Sequence, residues 1–270
     1  MITVTRESVR LCHEDFWEHK VQYAKRIVIV GATSAMATHC ARLWAQGQAQ
    51  DFTLVGRDAE RLERVATDLR ARSAGSHVKT VVADFATAAQ IAATVDAIVG
   101  AGPVDIVLIA HGSLGDQANS QRDLAHCQSE LEVNGVSPVL FAEAFAGHME
   151  RAGRGTLALI GSVAGDRGRK SNYVYGAAKG MVTRYAQGLQ HRFAGTPVKV
   201  VLIKPGPTDT PMTSHLKAGG AKMAPVEDVA KGIVAAIDSG RPVAYVPPVW
   251  QVIMMVIRHL PAFVFNKLNI

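Results

Sequence analysis

Two side chains able to exchange a proton lie four residues apart in the second half of the sequence. Tyr175 and Lys179 would share one face of a helix, about one turn apart. A free tyrosine titrates near ~10, so its phenolate needs a nearby positive charge to form close to neutral pH. Lys179 supplies that charge. Ser162 precedes the tyrosine by thirteen residues, and its hydroxyl would hold a substrate oxygen beside the phenol.

The elements that must position these groups alternate between apolar runs and segments of helical length. The runs are continuous, as expected for strands buried on both faces of a sheet. The alternation predicts a single Rossmann-type α/β domain with a doubly wound, parallel, seven-stranded sheet. The predicted strands are residues 26–30, 52–55, 78–83, 104–110, 156–160, 198–203 and 243–246. The predicted helices include residues 59–72, 86–99, 124–151, 175–193 and 226–238.

The two ends of the chain differ from the predicted domain of residues 25–247. Residues 1–24 carry Phe16 and Trp17 among charges, and we expect a dispensable arm rather than an ordered helix, since chain ends are often poorly ordered. They contain no apolar run typical of a signal peptide, which favours the cytoplasm. Residues 248–270 are an apolar tail with a predicted helix between prolines, too short to span a bilayer.

Composition excludes several classes of protein. The 29 Lys and Arg against 23 Asp and Glu give a net charge of +6, but the cations are scattered, so nucleic acid is not an expected partner. Cys12, Cys40 and Cys127 are too far apart for a paired framework or a metal motif, and we interpret them as reduced thiols. The ten histidines form no metal-binding pattern, and no metal is predicted.

The first strand runs directly into a turn of small residues and then a helix. Free backbone N–H groups at such a turn, together with the helix dipole, can cradle a diphosphate. Ala35 and Ala37 place methyl groups where close backbone approach is usually needed, so a plain strand-to-helix turn is the alternative. The candidate cofactor-binding residues here are Gly31, Thr33, Ser34, Ala35 and Met36.

The second strand ends at Gly56, and the next residue is the cation Arg57. A carboxylate at this position would favour NAD, whereas a cation would bind the 2′-phosphate of NADP(H). Asp58 argues against this interpretation, and the alternative for Arg57 is a solvated surface charge. After the third strand, Asp84 would accept a hydrogen bond from adenine or cap the next helix, and we count Asp84 and the adjacent Phe85 among the candidate cofactor-binding residues.

The chemical residues occur in a larger pattern. Asn134 stands in Val133-Asn134-Gly135, ahead of Ser162, Tyr175 and Lys179, and a Pro205-Gly206-Pro207-Thr208-Asp209-Thr210 segment follows them. In order and spacing, residues 26–246 resemble the short-chain dehydrogenase/reductase family. The resemblance implies an oxidoreductase that uses a nicotinamide cofactor, here NADP(H), and that forms homodimers or homotetramers.

The resemblance also implies individual roles. Tyr175 would be the general acid/base, Lys179 would lower its pKa and bind the nicotinamide ribose, and Ser162 would orient the substrate. Asn134 would position a water in the proton relay to Lys179, the alternative being a polar break inside a long helix. The remaining cofactor contacts would come from Pro205, Gly206, Thr208 and Thr210.

One segment departs from the family pattern. Where Asn-Asn-Ala-Gly commonly follows the fourth strand, this chain has Ile109-Ala110-His111-Gly112. We assign Ala110, His111 and Gly112 to the cofactor pocket. His111 is either a neutral wall of that pocket, which we favour because a lone histidine beside an apolar strand is usually structural, or an added polar contact to the cofactor.

Two features bear on the substrate. Arg167, Arg169 and Lys170 lie between Ser162 and Tyr175, where they would bind a phosphate or be a solvated basic loop. The apolar tail would lie on a membrane surface or against a partner subunit. Both features, with Asn172 and the run from Arg258 to Pro261, resemble the decaprenylphosphoryl-β-D-erythro-pentofuranosid-2-ulose 2-reductase branch.

That branch implies a keto-sugar on a polyprenyl phosphate as the substrate, with peripheral contact at the inner face of the membrane. One alternative is a soluble general carbonyl reductase. The other is a regulatory nucleotide-binding protein that kept the fold without catalysis. The intact Ser162, Tyr175 and Lys179 favour an enzyme over this last class.

Overall fold

The computed structural model describes residues 24–214 and 222–268, so the predicted arm lies almost wholly outside the described residues. Seven strands form one parallel sheet in the order β3-β2-β1-β4-β5-β6-β7. This arrangement confirms the predicted doubly wound fold. The strands are β1 Arg26–Val30, β2 Asp51–Gly56, β3 His77–Val82, β4 Ile106–Ile109, β5 Thr156–Ile160, β6 Lys199–Pro205 and β7 Val243–Val246.

Helices cover both faces of the sheet. Those on the domain are α1 Ala35–Gly47, α2 Ala59–Arg72, α3 Ala88–Val99, α4 Gln117–Arg122, α5 Leu124–Leu131, α6 Ser137–Ala152, α7 Tyr173–Arg192 and α8 Val226–Ser239. Short 3-10 turns occupy Val163–Asp166 and Pro211–Thr213. The helix predicted over residues 124–151 is in fact α5 and α6, joined by a π-helical turn at Glu132–Val136.

The core consists of two layers, one on each face of the sheet, because successive side chains along a strand point to opposite faces. On β1, Ile27 and Ile29 pack with α1, α2 and α8, whereas Val28 and Val30 pack with α3, α6 and α7. Every side chain from Ile27 to Val30 is therefore buried, which explains why β1 lacks a polar face.

The strand order reverses between β1 and β4. In doubly wound sheets, ligands bind beyond the carboxyl ends of the strands at this switch point. The loops after β1, β4, β5 and β6 meet there, and they carry most of the residues that the sequence singles out.

The tail forms α9 Val249–His259 and α10 Ala262–Phe265. This agrees with the short helix predicted between Pro248 and Pro261. Within the described residues, every helix is too short or too polar to cross a bilayer.

Candidate active site

The predicted acid–base group is assembled at the carboxyl end of β5. Tyr175 lies in the first turn of α7 and hydrogen-bonds with Ser162. The Ser162 Oγ accepts a hydrogen bond from the Ala164 amide at 3.1 Å, which fixes the hydroxyl at the start of the 3-10 turn. Lys179 Nζ lies 5.8 Å from the centroid of the Tyr175 ring and donates to the Ile160 carbonyl at 3.2 Å.

Burial shifts the proton affinity of both groups in α7. It raises the pKa of Tyr175, and the nearby charge of Glu130 raises it further, while the hydrogen bond with Ser162 acts in the opposite direction. Burial lowers the pKa of Lys179 from 10.5 to about 8. The lysine therefore remains mostly protonated near neutral pH, as stabilisation of a phenolate requires.

Asn134 is completely buried in the π-helical turn. Its Oδ1 accepts from the Ser113 amide at 2.9 Å, and its Nδ2 donates to a Glu130 carboxylate oxygen at 3.0 Å. A Cβ on Gly112 would lie 2.8 Å from Asn134 Oδ1 and 3.5 Å from Lys179 Nζ, so glycine is needed there. Glu130 and Ser113 belong to the site but are not among the residues predicted from the sequence. Only Glu130 has a signal in the sequence, since its carboxylate lies one helical turn before Asn134.

The turn after β1 is built for close approach and leaves N–H groups free. Gly31 has φ +82°, and a Cβ on it would lie 2.5 Å from the His111 amide nitrogen. Ser34 begins α1 without a side-chain cap, and the first helical hydrogen bond runs from the Thr38 amide to Ser34. The amides of the first turn therefore have no intrahelical acceptor. This geometry fits the diphosphate of a dinucleotide.

The residues assigned to the adenosine end lie nearby but have separate contacts. Arg57 is exposed just after β2. Asp58, which argued against NADP(H), caps α2 by accepting from the Arg61 amide at 2.9 Å. Asp84 is exposed and accepts from the Ala86 amide at 3.1 Å, so its carboxylate makes a local turn contact.

His111 lies between the rings of Phe85 and Phe141, with centroid distances of 4.8 and 5.6 Å. Burial, aided by the charges of Lys179 and Arg57, lowers its pKa from 6.5 to about 3, so the imidazole is neutral at physiological pH. Its Nε2 lies 3.0 Å from Ser137 Oγ, whereas its buried Nδ1 has no hydrogen-bond partner among the described residues. The ring thus has an aromatic environment and one free nitrogen.

The turn after β6 completes the site. Thr208 Oγ1 donates to the Gly206 carbonyl at 2.9 Å, and Thr210 forms a reciprocal capping contact with Thr213. A Cβ on Gly206 would lie 2.0 Å from Trp250 Nε1 of α9. The tail therefore packs directly on a turn that lines the site.

A cavity of about 230 Å³ connects these groups. The predicted residues that line it are Ser34, Met36, Ala110, His111, Gly112, Asn134, Ser162, Arg169, Tyr175, Lys179, Pro205, Gly206, Thr208 and Thr210. The predicted residues that lie outside its lining are Gly31, Thr33, Ala35, Arg57, Asp84, Phe85, Arg167 and Lys170. The structure thus brings the predicted acid–base group and the turn after β6 together, while the second set of predicted residues lies outside the lining of the cavity.

The three cations of the basic loop have different environments. Arg167 donates to the carbonyls of Ile257 and Leu260, each at 2.6 Å, and its guanidinium lies 3.8 Å from the centroid of the Phe265 ring. Lys170 is exposed. Arg169 is partly buried, lines the cavity, and its Nε has no partner among the described residues. Arg167 is therefore bound to the tail, and Arg169 faces the cavity.

A family model described as short chain dehydrogenase matches residues 25–220. The chain belongs to this short-chain dehydrogenase/reductase family. It is thus an oxidoreductase of a family that uses nicotinamide cofactors. Among curated relatives, an uncharacterised oxidoreductase of Mycobacterium tuberculosis is 32% identical over 246 residues, covering 91% of this chain and 97% of the relative. An uncharacterised oxidoreductase of Streptomyces coelicolor is 29% identical over 245 residues, covering 90% and 96%.

Solved structures of short-chain dehydrogenases share the fold. A Burkholderia cenocepacia protein in complex with NADP has a TM-score of 0.76 at 18% identity and covers 92% of this chain and 98% of its own. A Sphingobium yanoikuyae protein in complex with NADPH has a TM-score of 0.74 at 22% identity, with 91% and 96% covered.

Proposed function

We propose that this protein is an NADP(H)-dependent reductase of a ketone carbon. The observation that carries the proposal is the hydrogen-bonded Ser162 and Tyr175 beside the Lys179 ammonium, in a cavity that also includes the turn after β6. The free N–H groups at the start of α1 fit a diphosphate. Nicotinamide, when bound, would supply the hydride.

The side chains of the chain would manage the substrate oxygen and its proton. The Ser162 hydroxyl would donate a hydrogen bond to the carbonyl oxygen, and Tyr175 would give it a proton as the carbon accepts the hydride. Lys179 would stabilise the resulting phenolate by its charge, and Asn134 would position the water that returns the proton through Lys179. One hydride and one proton convert the ketone to a secondary alcohol.

Arg57 supports the choice of NADP(H). It is the first residue after β2 and its side chain is exposed, and the nearby Asp58 carboxylate caps α2. A cation without a competing carboxylate favours the 2′-phosphate. The Burkholderia and Sphingobium neighbours contain NADP and NADPH, respectively.

For the substrate, we propose a hydroxyl-rich keto-sugar carried on a polyprenyl phosphate. Two buried polar atoms of residues that line the cavity have no partner among the described residues: Arg169 Nε, which is a donor, and Asn172 Oδ1, which is an acceptor. A sugar hydroxyl both accepts and donates, so it can satisfy such a mixed set. A simple apolar ketone would leave these atoms unpaired, which costs ~1–3 kcal/mol each.

The tail would receive the lipid portion. It packs on Gly206 through Trp250 and on the basic loop through Arg167. Its exposed apolar side chains would rest on the inner face of the membrane. The large ones are Val249, Val252, Met255, Val256, Phe263 and Leu268. Homodimer or homotetramer assembly stays a prediction from the family resemblance.

Tyr175→Phe is the decisive variant, because it removes the proton but keeps the ring. We expect reduction to fall by about 10²–10⁴-fold with NADPH binding retained, as measured by the loss of NADPH absorbance and by fluorescence titration. Tyr173→Phe is the matched control, because Tyr173 is exposed at the start of the same helix. Reduction by Tyr175→Phe at the wild-type rate would refute the mechanism.

Substrate class requires a separate comparison. Wild-type protein should reduce a polyprenylphosphoryl 2-keto-pentose more efficiently than a water-soluble keto-pentose, and both more efficiently than simple ketones. Equal rates on all three would support a general carbonyl reductase, and turnover of none would support a protein without catalysis.

A further inference from the structure

A carboxylate with no part in the proposed proton path lies against the residues of that path. Glu130 is in α5, one helical turn before Asn134. Its two carboxylate oxygens accept from Ser113 Oγ at 3.0 and 3.1 Å, and one of them accepts from Asn134 Nδ2 at 3.0 Å. Ionised acceptors form the stronger class of hydrogen bond.

These contacts close a ring of three residues. The Ser113 amide donates to Asn134 Oδ1 at 2.9 Å, so the carboxylate and the amide together fix both ends of the Asn134 side chain. Gly115 covers the carboxylate closely, since a Cβ there would lie 2.3 Å from Glu130 Cδ. The loop after β4 and the π-helical turn are therefore joined through Glu130.

The negative charge of Glu130 also acts on Tyr175. The phenol is buried, and burial raises its pKa, with the Glu130 charge adding to that effect. Besides Tyr175, the ionisable side chains that line the cavity are the Lys179 ammonium, the neutral His111 imidazole and the Arg169 guanidinium. A nearby negative charge destabilises the phenolate and therefore favours the protonated, proton-donating form of the tyrosine.

We propose that Glu130 is a positioning residue whose carboxylate holds the side chains of Asn134 and Ser113 in place. This inference rests on the proposed function for its kinetic consequence. Glu130 touches neither substrate nor cofactor and acts through Asn134 and Tyr175. Substitution of Glu130 should therefore change the pH dependence of kcat for reduction as well as the value of kcat.

Glu130→Gln removes the charge and keeps the size of the side chain. Reduction needs the phenol form of Tyr175, and removal of a negative charge stabilises the phenolate, so the alkaline limb of kcat for reduction should move to lower pH. Alcohol oxidation needs the phenolate, so the acid limb of kcat for oxidation should move to lower pH in the same variant. Glu130→Asp, which keeps the charge, should restore the position of the limb.

Glu132→Gln is the matched control, because Glu132 is exposed and hydrogen-bonded to Gln128. A second readout is independent of turnover: the ¹³Cζ signal of Tyr175 during a pH titration, assigned by its loss in Tyr175→Phe. We expect the midpoint of this signal to fall in Glu130→Gln and to stay fixed in Glu132→Gln.

The two readouts separate the two proposals. A moved midpoint in a protein that reduces no carbonyl would support Glu130 and refute the proposed function. An unmoved midpoint, with the pH limb also unchanged in Glu130→Gln, would overturn the role of Glu130 and leave the reductase intact.

Discussion

The buried imidazole of His111 should make the stability of the fold depend on pH in the acid range. Its pKa falls from 6.5 to about 3 because it is buried, with Lys179 and Arg57 adding to the effect. The unfolded chain therefore binds a proton where the folded chain does not, and stability declines as the pH drops below the unfolded value. From about pH 7 to about pH 5 the loss is ~2 kcal/mol, and any folded pKa of about 4 or lower gives nearly the same loss.

His111→Phe keeps a ring that packs against Phe85 and Phe141 and that cannot titrate. Between the same two pH values, its free energy of unfolding should decrease by ~2 kcal/mol less than that of the wild type. Loss of the contact with Ser137 should add a constant offset of ~0.5–1.5 kcal/mol. Urea unfolding followed by circular dichroism measures both quantities, and His191→Phe, which alters an exposed residue of α7, is the control.

A parallel decline in stability for the wild type and His111→Phe would refute this reasoning. It would mean that the imidazole can be protonated in the folded protein. His111 would then carry a positive charge beside the cofactor site, and its assignment as a neutral wall of that site would be wrong.

Two further variants test the flanking cations. Arg57→Ala should weaken NADPH binding by about 10–100-fold, the value of a charge-assisted hydrogen bond, and leave NADH binding unchanged; fluorescence titration measures both. An equal loss for both cofactors would contradict a 2′-phosphate contact, and Arg61→Ala on the exposed face of α2 is the control. Arg167→Gln should release the tail and destabilise the fold by ~1–3 kcal/mol, with faster proteolysis after β7. Lys170→Gln, in the same loop but exposed, should do neither, and identical behaviour of these two variants would exclude a tail-clamping role for Arg167.

The sequence predicts the sheet well because its pattern is local. Strands buried on both faces must be continuous apolar runs, and the runs that end at Val30 and Ile160 mark the places where Gly31 and Ser162 enter the site. The spacing of Tyr175 and Lys179 is equally local, since one helix carries both residues.

The break at Asn134 depends on contacts that the sequence does not display. A Cβ on Gly135 would lie 3.2 Å from the Cα of Ala178, so α7 approaches the π-helical turn at backbone distance. The contacts of Glu130 with Ser113 likewise join residues 17 apart. The hydrophobic periodicity predicts one long helix here, because periodicity contains no information on which element packs against that helix.

The basic loop shows how three similar side chains acquire different tasks. Its start is fixed by Asp166, whose carboxylate pairs with the buried Lys204 and accepts from the Tyr245 hydroxyl at 2.7 Å. Arg167, the next residue, is held by carbonyls of the tail. In the sequence, charge alone does not distinguish the three cations of the loop. In the structure, the contacts of Asp166 and Arg167 fix the start of the loop, and Arg169 is the cation that lines the cavity. Because the buried pair and the tail set the path of the loop, the residues that shape the proposed sugar site include some that never touch the sugar.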